Sequence, residues 1–148
     1  MDKVSTNLTK IRLKQAQEDL DDANYLFENG SYKGANNRAY YSIFHVMKAI
    51  LSLEPTDFKR HKDVIAYFNQ NYINTEIFPK ELGHRIKKAE IIRDNSDYND
   101  FYIVSKSDTK EIIETATKLY NYGIMYITNW CKNNNIDFEN TEDWQLII

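Results

Sequence analysis

The chain is poor in the residues that break, staple or anchor a fold. It has 2 prolines and 4 glycines in 148 residues. So few breakers favour long helices over a many-stranded sheet, which needs a turn every few residues. A single cysteine, Cys131, excludes an internal disulfide framework and any cysteine-based zinc site within one chain. A reducing compartment is the plain expectation. No apolar run approaches the roughly 18 residues that a membrane span requires. The stretch from Met1 to Lys10 is polar and lacks the apolar core of a secretory leader. A cytoplasmic protein without membrane association is expected. An excess of basic charge is missing too. Lys and Arg total 19 against 22 Asp and Glu, for a net charge of -3. Bulk charge therefore gives no support to non-specific nucleic-acid binding.

What is present is apolar and aromatic. Hydrophobic residues make up 42% and aromatics 14%, too much for a disordered chain. Residues 1–148 fit one domain with a real core. Leu13, Ala16, Leu20, Ala23 and Phe27 recur at helical spacing and predict a helix from about Thr9 to Asn29, stopped by Gly30. A second helix is expected from about Tyr32 to Leu53, closed by Pro55. A third covers roughly Phe58 to Asn71, with Val64, Ile65, Phe68 and Tyr72 inward. Pro79 suits the first turn of a fourth helix, which carries Leu82, Ile86, Ala89 and Ile92. Its polar end, Arg93 to Asp100, is dense in residues that favour turns and caps. The last helix is expected to start near Asp108, with Asp108 and Glu111 as a capping box, and to end at Asn133-Asn134-Asn135. A short tail from about residue 133 holds Phe138, Trp144, Ile147 and Ile148, apolar residues expected to dock. The fold class is all-α, an antiparallel up-and-down bundle of about five helices.

The second helix carries the chemical signal. With Arg38 at zero on a wheel of about 100° per residue, Ala39, Ile43, Val46 and Ile50 fall between about 80° and 140°. Met47, Tyr40, Leu51 and Phe44 extend this core face to about 240°. Asn37, Arg38, Tyr41, Ser42, His45, Lys48 and Ser52 occupy the remaining arc. Arg38 and His45 lie within about 20° of each other and about 10 Å apart along the axis, with Tyr41 between them. Such a pair can meet around one phosphate. Cleavage of RNA by its own 2′-hydroxyl needs a proton removed from that oxygen and another given to the leaving oxygen. Histidine titrates nearest neutral pH, and Arg offers a rigid cationic fork for the phosphate. A solvated helix face or a subunit contact involving Tyr41, His45 and Lys48 produces the same spacing. Likewise, the basic run Lys59-Arg60-His61-Lys62 reads either as a nucleic-acid contact or as a solvated helix start. His45, His61 and His84 match no local metal motif, so no metal site and no cofactor are expected.

The segment Asn37-Arg38-Ala39-Tyr40-Tyr41-Ser42-Ile43-Phe44-His45 resembles the R-A-Y-Y-x-x-F-H signature of HEPN-domain proteins. There an Arg, four to six residues and a His mark the functional site; here six residues intervene. His61-Lys62-Asp63-Val64-Ile65-Ala66-Tyr67-Phe68 is similar to the family's H-x-x-V-I-x-x-F segment. Arg93 to Tyr98 is similar to its R-x-x-x-D-Y segment. The resemblance spans roughly Ser31 to Asp100 and is nearest to small stand-alone prokaryotic members. It implies a helical bundle that forms a homodimer, with Arg38 and His45 near the subunit cleft. It further implies a metal-independent ribonuclease acting as a toxin, paired with a minimal nucleotidyltransferase antitoxin. The other reading is a non-catalytic module that binds a nucleotide or the nucleotidyltransferase. On the first reading Arg38 binds phosphate and His45 is the general acid or base. Tyr41, Arg93, Asp97, Tyr98 and His61 are supporting residues. Arg93 and Asp97 could equally form a structural pair on their own helix. His61 could equally be a helix-start or core-edge residue. Family toxins often carry a tyrosine two residues after the His, the target of antitoxin modification; this chain has Met47 there.

Overall fold

A short reversal organises the first half of the molecule. Helix α1 (Lys3–Glu28) ends at Gly30, whose φ of 79° is left-handed and suits a residue without a Cβ. The backbone N–H of Ser31 returns to the Leu26 carbonyl at 2.9 Å, and α2 (Tyr32–Leu51) starts at once. The computed structural model describes residues 3–138. After α2 come α3 (His61–Phe68), a π-helical turn (Asn69–Ile73), α4 (Lys80–Tyr98) and α5 (Lys106–Asn133). The described residues contain five α-helices and no strand, which is the all-α bundle expected. Among them, no helix is long and apolar enough to cross a membrane.

Helix α2 is the hub. It packs most extensively on α1, then on α5, and also touches α3 and α4. Twelve of its 20 residues are buried. The wheel placed Ser42 and Ser52 on the polar arc; both are buried instead. Ser42 donates to the Ala16 carbonyl of α1 at 2.8 Å, and Ser52 hydrogen-bonds with Thr9 and the Ala49 carbonyl. Small residues explain how α1 comes so near. Ala16 and Ala23 are fully buried and alternate with Leu13 and Leu20 along the same face. Each buried Leu or Ile contributes roughly 1.5–3 kcal/mol.

Several boundaries differ from expectation, each for a local reason. Residues Arg93–Tyr98, expected as the polar and turn-prone end of the fourth helix, are helical throughout. Ser96 extends its buried side beyond Ile92, and Arg93 reaches Asp97 one turn on. The extended residue Asn99 is the stop. α5 begins before Asp108, because Ser105 is its N-cap and accepts the Asp108 N–H at 3.0 Å. Asp108 therefore lies in the first turn, where a carboxylate complements the helix dipole. α3 is shorter than expected, since the π-helical turn takes over and delivers Tyr72 and Ile73 to the core. In the basic run, Arg60 pairs with Asp63 at 2.8 Å, while Lys59 and Lys62 are exposed. Phe138 is buried, with the Lys10 ammonium 5.6 Å from its ring. Trp144, Ile147 and Ile148 lie outside the described residues.

Gly123 sets how closely α5 approaches α2. A Cβ there would sit 2.7 Å from Val46 Cγ1 and 3.6 Å from Ile50 Cδ1. Alanine improves helix propensity by about 1 kcal/mol, whereas overpacking costs about 1–3 kcal/mol. Gly123→Ala is expected to lower net stability in urea or thermal melts. A variant more stable than the parent would show that α2 and α5 separate freely.

Candidate functional site

The burial of α2 leaves one narrow strip partly open. Asn37, Arg38, Tyr41, His45 and Lys48 lie along it, each half-buried. Asp19 of α1 meets this strip from the side. Arg38 Nη1 donates to Asp19 Oδ1 at 3.1 Å, and His45 Nε2 stands 3.6 Å from Asp19 Oδ2. One carboxylate thus spans both proposed functional groups. The remaining guanidinium edge is held by Asn37 Oδ1, which accepts from Nη2 at 2.8 Å and Nε at 3.3 Å. The Arg38 guanidinium also lies 5.1 Å from the Tyr41 ring centroid.

α4 and α3 supply the other flank. Arg93 Nη2 donates to the Tyr41 hydroxyl at 3.3 Å. Its guanidinium packs on two rings, Tyr40 at 5.1 Å and Tyr41 at 5.9 Å. Arg93 Nε is 2.9 Å from Asp97 Oδ2, an ion contact whose N–H is misaligned for a hydrogen bond. His61, at the start of α3, stacks on Phe44 with centroids 3.9 Å apart. It meets Tyr41 edge-on at 5.8 Å. Arg38, Tyr41, His45, His61, Arg93 and Asp97 are therefore brought together. Tyr98 makes none of these contacts and is 78% exposed. His84 stands apart, beside a hollow shared with Asn69, Ile73 and Lys80. Among the described residues no group of three His, Cys, Asp or Glu is placed to hold a metal.

Two participants escaped the sequence reading: Asp19 and Arg12, seven residues apart on α1. Arg12 Nη1 donates to the Lys48 carbonyl at 3.0 Å, which puts its charge near His45. In isolation both resemble ordinary solvent-face residues of a helix that also carries Glu18, Asp21 and Asp22. The signal is the antiparallel register. Thr9 meets Ser52, Arg12 meets Lys48, Ala16 meets Ser42 and Asp19 meets Arg38, so α1 positions pair with α2 in descending order, and Asp19 also reaches back to His45.

The electrostatics follow from burial among cations. The imidazole of His45 is pushed down to about 4, first by desolvation and then by Lys48, Arg12, Arg38 and His61. These outweigh the Asp19 carboxylate, which acts in the opposite sense. Burial lowers His61 as well, helped by Arg93 and Lys48. Burial also raises Asp19, against the pull of Arg38. Both partners of the Asp19–His45 contact are thus moved toward their neutral forms. His45 Nδ1 is buried without a hydrogen-bond partner, so Nε2 is its working nitrogen. At neutral pH the site presents an uncharged imidazole beside fixed guanidinium groups and aromatic faces. That combination has the chemistry for binding an anion and accepting a proton. The hollow lined by Ile77, Phe78, Tyr122, Met125 and Tyr126 lies elsewhere and carries none of these groups.

A depressed histidine makes stability depend on pH. Between the ordinary value of 6.5 and the folded value of about 4, the unfolded chain binds the proton that the folded chain refuses. Stability is therefore full above that window and falls as pH drops through it. Because His45 is only partly enclosed, its share from about pH 6.5 to 5 is discounted to about 1 kcal/mol. Urea melts of His45→Gln are expected to show a shallower pH slope by that amount. Parallel slopes in parent and variant would contradict the burial argument.

The family model for the HEPN domain matches residues 9–125, which include every residue of this cluster. A UPF0332 protein of Thermotoga maritima is 32% identical over 103 residues, covering 70% of this chain and 78% of the relative. A UPF0332 protein of Archaeoglobus fulgidus is 31% identical over 113 residues, covering 72% and 85% respectively. A Methanocaldococcus jannaschii protein named "Putative toxin MJ0605" is 39% identical over 83 residues, covering 56% of this chain and 62% of its own. With a matched helical bundle and relatives of this extent, the chain belongs to the HEPN domain family.

Proposed function

We propose that the protein is a metal-independent RNA endonuclease of toxin type, working through Arg38 and His45. The observation that carries this reading is their convergence on a single anionic group: Arg38 Nη1 and His45 Nε2 approach the two oxygens of one carboxylate. A phosphodiester presents two oxygens in a comparable arrangement. The toxin element draws on the name of the Methanocaldococcus jannaschii relative.

The chemistry distributes as follows. A neutral imidazole removes the proton from the 2′-hydroxyl. That oxygen attacks the adjacent phosphorus, a 2′,3′-cyclic phosphate forms, and the bond to the 5′-oxygen breaks. The leaving oxygen takes a proton from a second acid. Two copies of the chain across a shared cleft supply two His45 side chains, one for each transfer, and two Arg38 side chains for the developing charge. A bound phosphate raises the low affinity of His45 for protons, because it adds negative charge beside Nε2. Tyr41 and Arg93 support the phosphate-binding edge, and His61 braces the aromatic floor. The proposed antitoxin is a minimal nucleotidyltransferase. With Met47 in place of the family's tyrosine, control acts through binding rather than modification at that position.

A second reading is favoured by one observation: with Nδ1 buried and Nε2 against Asp19, neither nitrogen of His45 is free. On that reading the same strip binds a nucleotide or the nucleotidyltransferase without cutting. RNA incubated with purified protein in chelator separates the two. Cleavage is expected, falling by about 10²–10⁴ in His45→Ala and by about 10²–10³ in Arg38→Ala. Intact RNA with the parent protein, together with ATP binding that Arg38→Ala abolishes, would select the second reading.

A further inference from the structure

We infer that Asp19 is a built-in competitor for the anion site, holding the place on Arg38 and His45 that a phosphate group takes. This rests on the phosphate-binding role proposed for that pair. Three features distinguish Asp19 from an ordinary ion-pair partner. First, it bridges: Oδ1 is 3.1 Å from Arg38 Nη1 and Oδ2 is 3.6 Å from His45 Nε2, so both groups address the same anion. Second, it blocks. His45 Nδ1 is buried, and the carboxylate lies against the only other nitrogen, so a ligand reaching the imidazole meets Asp19 first. Third, it is poorly anchored. Its one hydrogen bond is to Arg38, and burial pushes its carboxyl up despite that cation. Arg38, by contrast, has a second anchor in Asn37 and stays in place when the carboxylate leaves.

An acid that oriented His45 for catalysis would contact one nitrogen and leave the other facing substrate. Here the other nitrogen faces the core. The geometry therefore favours exclusion over orientation. The consequence is selectivity by charge: a weakly charged or neutral ligand cannot displace a carboxylate from a guanidinium, whereas a phosphate offers more oxygens to both groups.

The test is phosphate affinity, read from the imidazole NMR signals of the full chain as inorganic phosphate is added. Asp19→Asn keeps the shape and removes the charge. Its expected result is about tenfold tighter phosphate binding than the parent. Arg38→Ala is expected to abolish binding in both backgrounds. Asp19→Ser, checked like the first variant by thermal melting, should show the same gain. Equal or weaker phosphate binding in folded Asp19 variants would overturn the proposal and make Asp19 a positioning residue. RNA cleavage is scored separately. Tighter phosphate binding without any RNA cleavage upholds the competitor and removes the nuclease reading. Cleavage by the parent, with phosphate affinity lost in Asp19→Asn, does the reverse.

Discussion

The enclosure of α2 is the constraint on which the rest depends. A helix with 12 of 20 residues buried cannot have a broad polar face. Beyond its first turn, its contacts with α1, α3, α4 and α5 leave only the row from Asn37 to Lys48 partly open. Any group that reaches this row must come from the flanking helices. Asp19 and Arg12 arrive from α1, His61 from α3 and Arg93 from α4. Partial burial also sets the electrostatics. In a region of reduced polarity, charges act over several ångströms with less screening, and a desolvated imidazole near Lys48, Arg12 and Arg38 gives up its proton.

Aromatic side chains let these cations coexist. The chain is acidic overall, yet Arg12, Arg38, Lys48 and Arg93 gather around two histidines. Full neutralisation by carboxylates would leave nothing for a ligand. Instead Arg38 lies on Tyr41, Arg93 lies on Tyr40 and Tyr41, and Lys48 approaches Phe44 at 5.6 Å. A ring face contributes about 0.5–2 kcal/mol while leaving the N–H edge of the cation able to bind. Tyr40 suits this task because burial pushes its phenol up to about 12, so it stays uncharged. The tyrosines of the Arg-to-His segment thus act as supports for cations as well as core residues.

The helical class and the alignment of Arg38 with His45 were legible because both are local. Periodicity at three and four residues reports one helix at a time, and α2 alone carries the pair. Ser42 and Ser52 were misplaced for the same reason. A wheel treats one helix as having one neighbour, whereas α1 covers the side on which those hydroxyls lie. Ser42 donates to the Ala16 carbonyl of α1, and Ser52 to the Ala49 carbonyl of its own helix beside the Thr9 hydroxyl, so both polar residues are buried at little cost. Asp19 and Arg12 were invisible because their meaning depends on the register between α1 and α2. His61 was legible as a motif residue but not as a ring stacked on Phe44, since the connection between α2 and α3 sets that contact. The exact stop of α4 was not legible because Asp, Asn and Ser favour turns and caps in isolation, while Ser96 on the buried side and the Arg93–Asp97 contact carry the helix to Tyr98.

That last contact also removes a choice the sequence posed. A structural pair between Arg93 and Asp97 and a role beside Tyr41 looked like alternatives. The guanidinium has five N–H donors in one plane. Asp97 engages its Nε side only as a misaligned ion contact, while Nη2 points the other way, to the Tyr41 hydroxyl. Exposed ion pairs of this spacing contribute about 0.3–0.5 kcal/mol, too little to hold a side chain by themselves. Two ring faces and a hydroxyl add the remaining restraint. Asp97 thus sits at one edge of Arg93, Tyr40 and Tyr41 fix its plane, Nη1 donates to Asp94 at 3.4 Å, and Nη2 is held at the Tyr41 hydroxyl. The pair is structural, and together with the two rings it holds the guanidinium beside the Tyr41 hydroxyl.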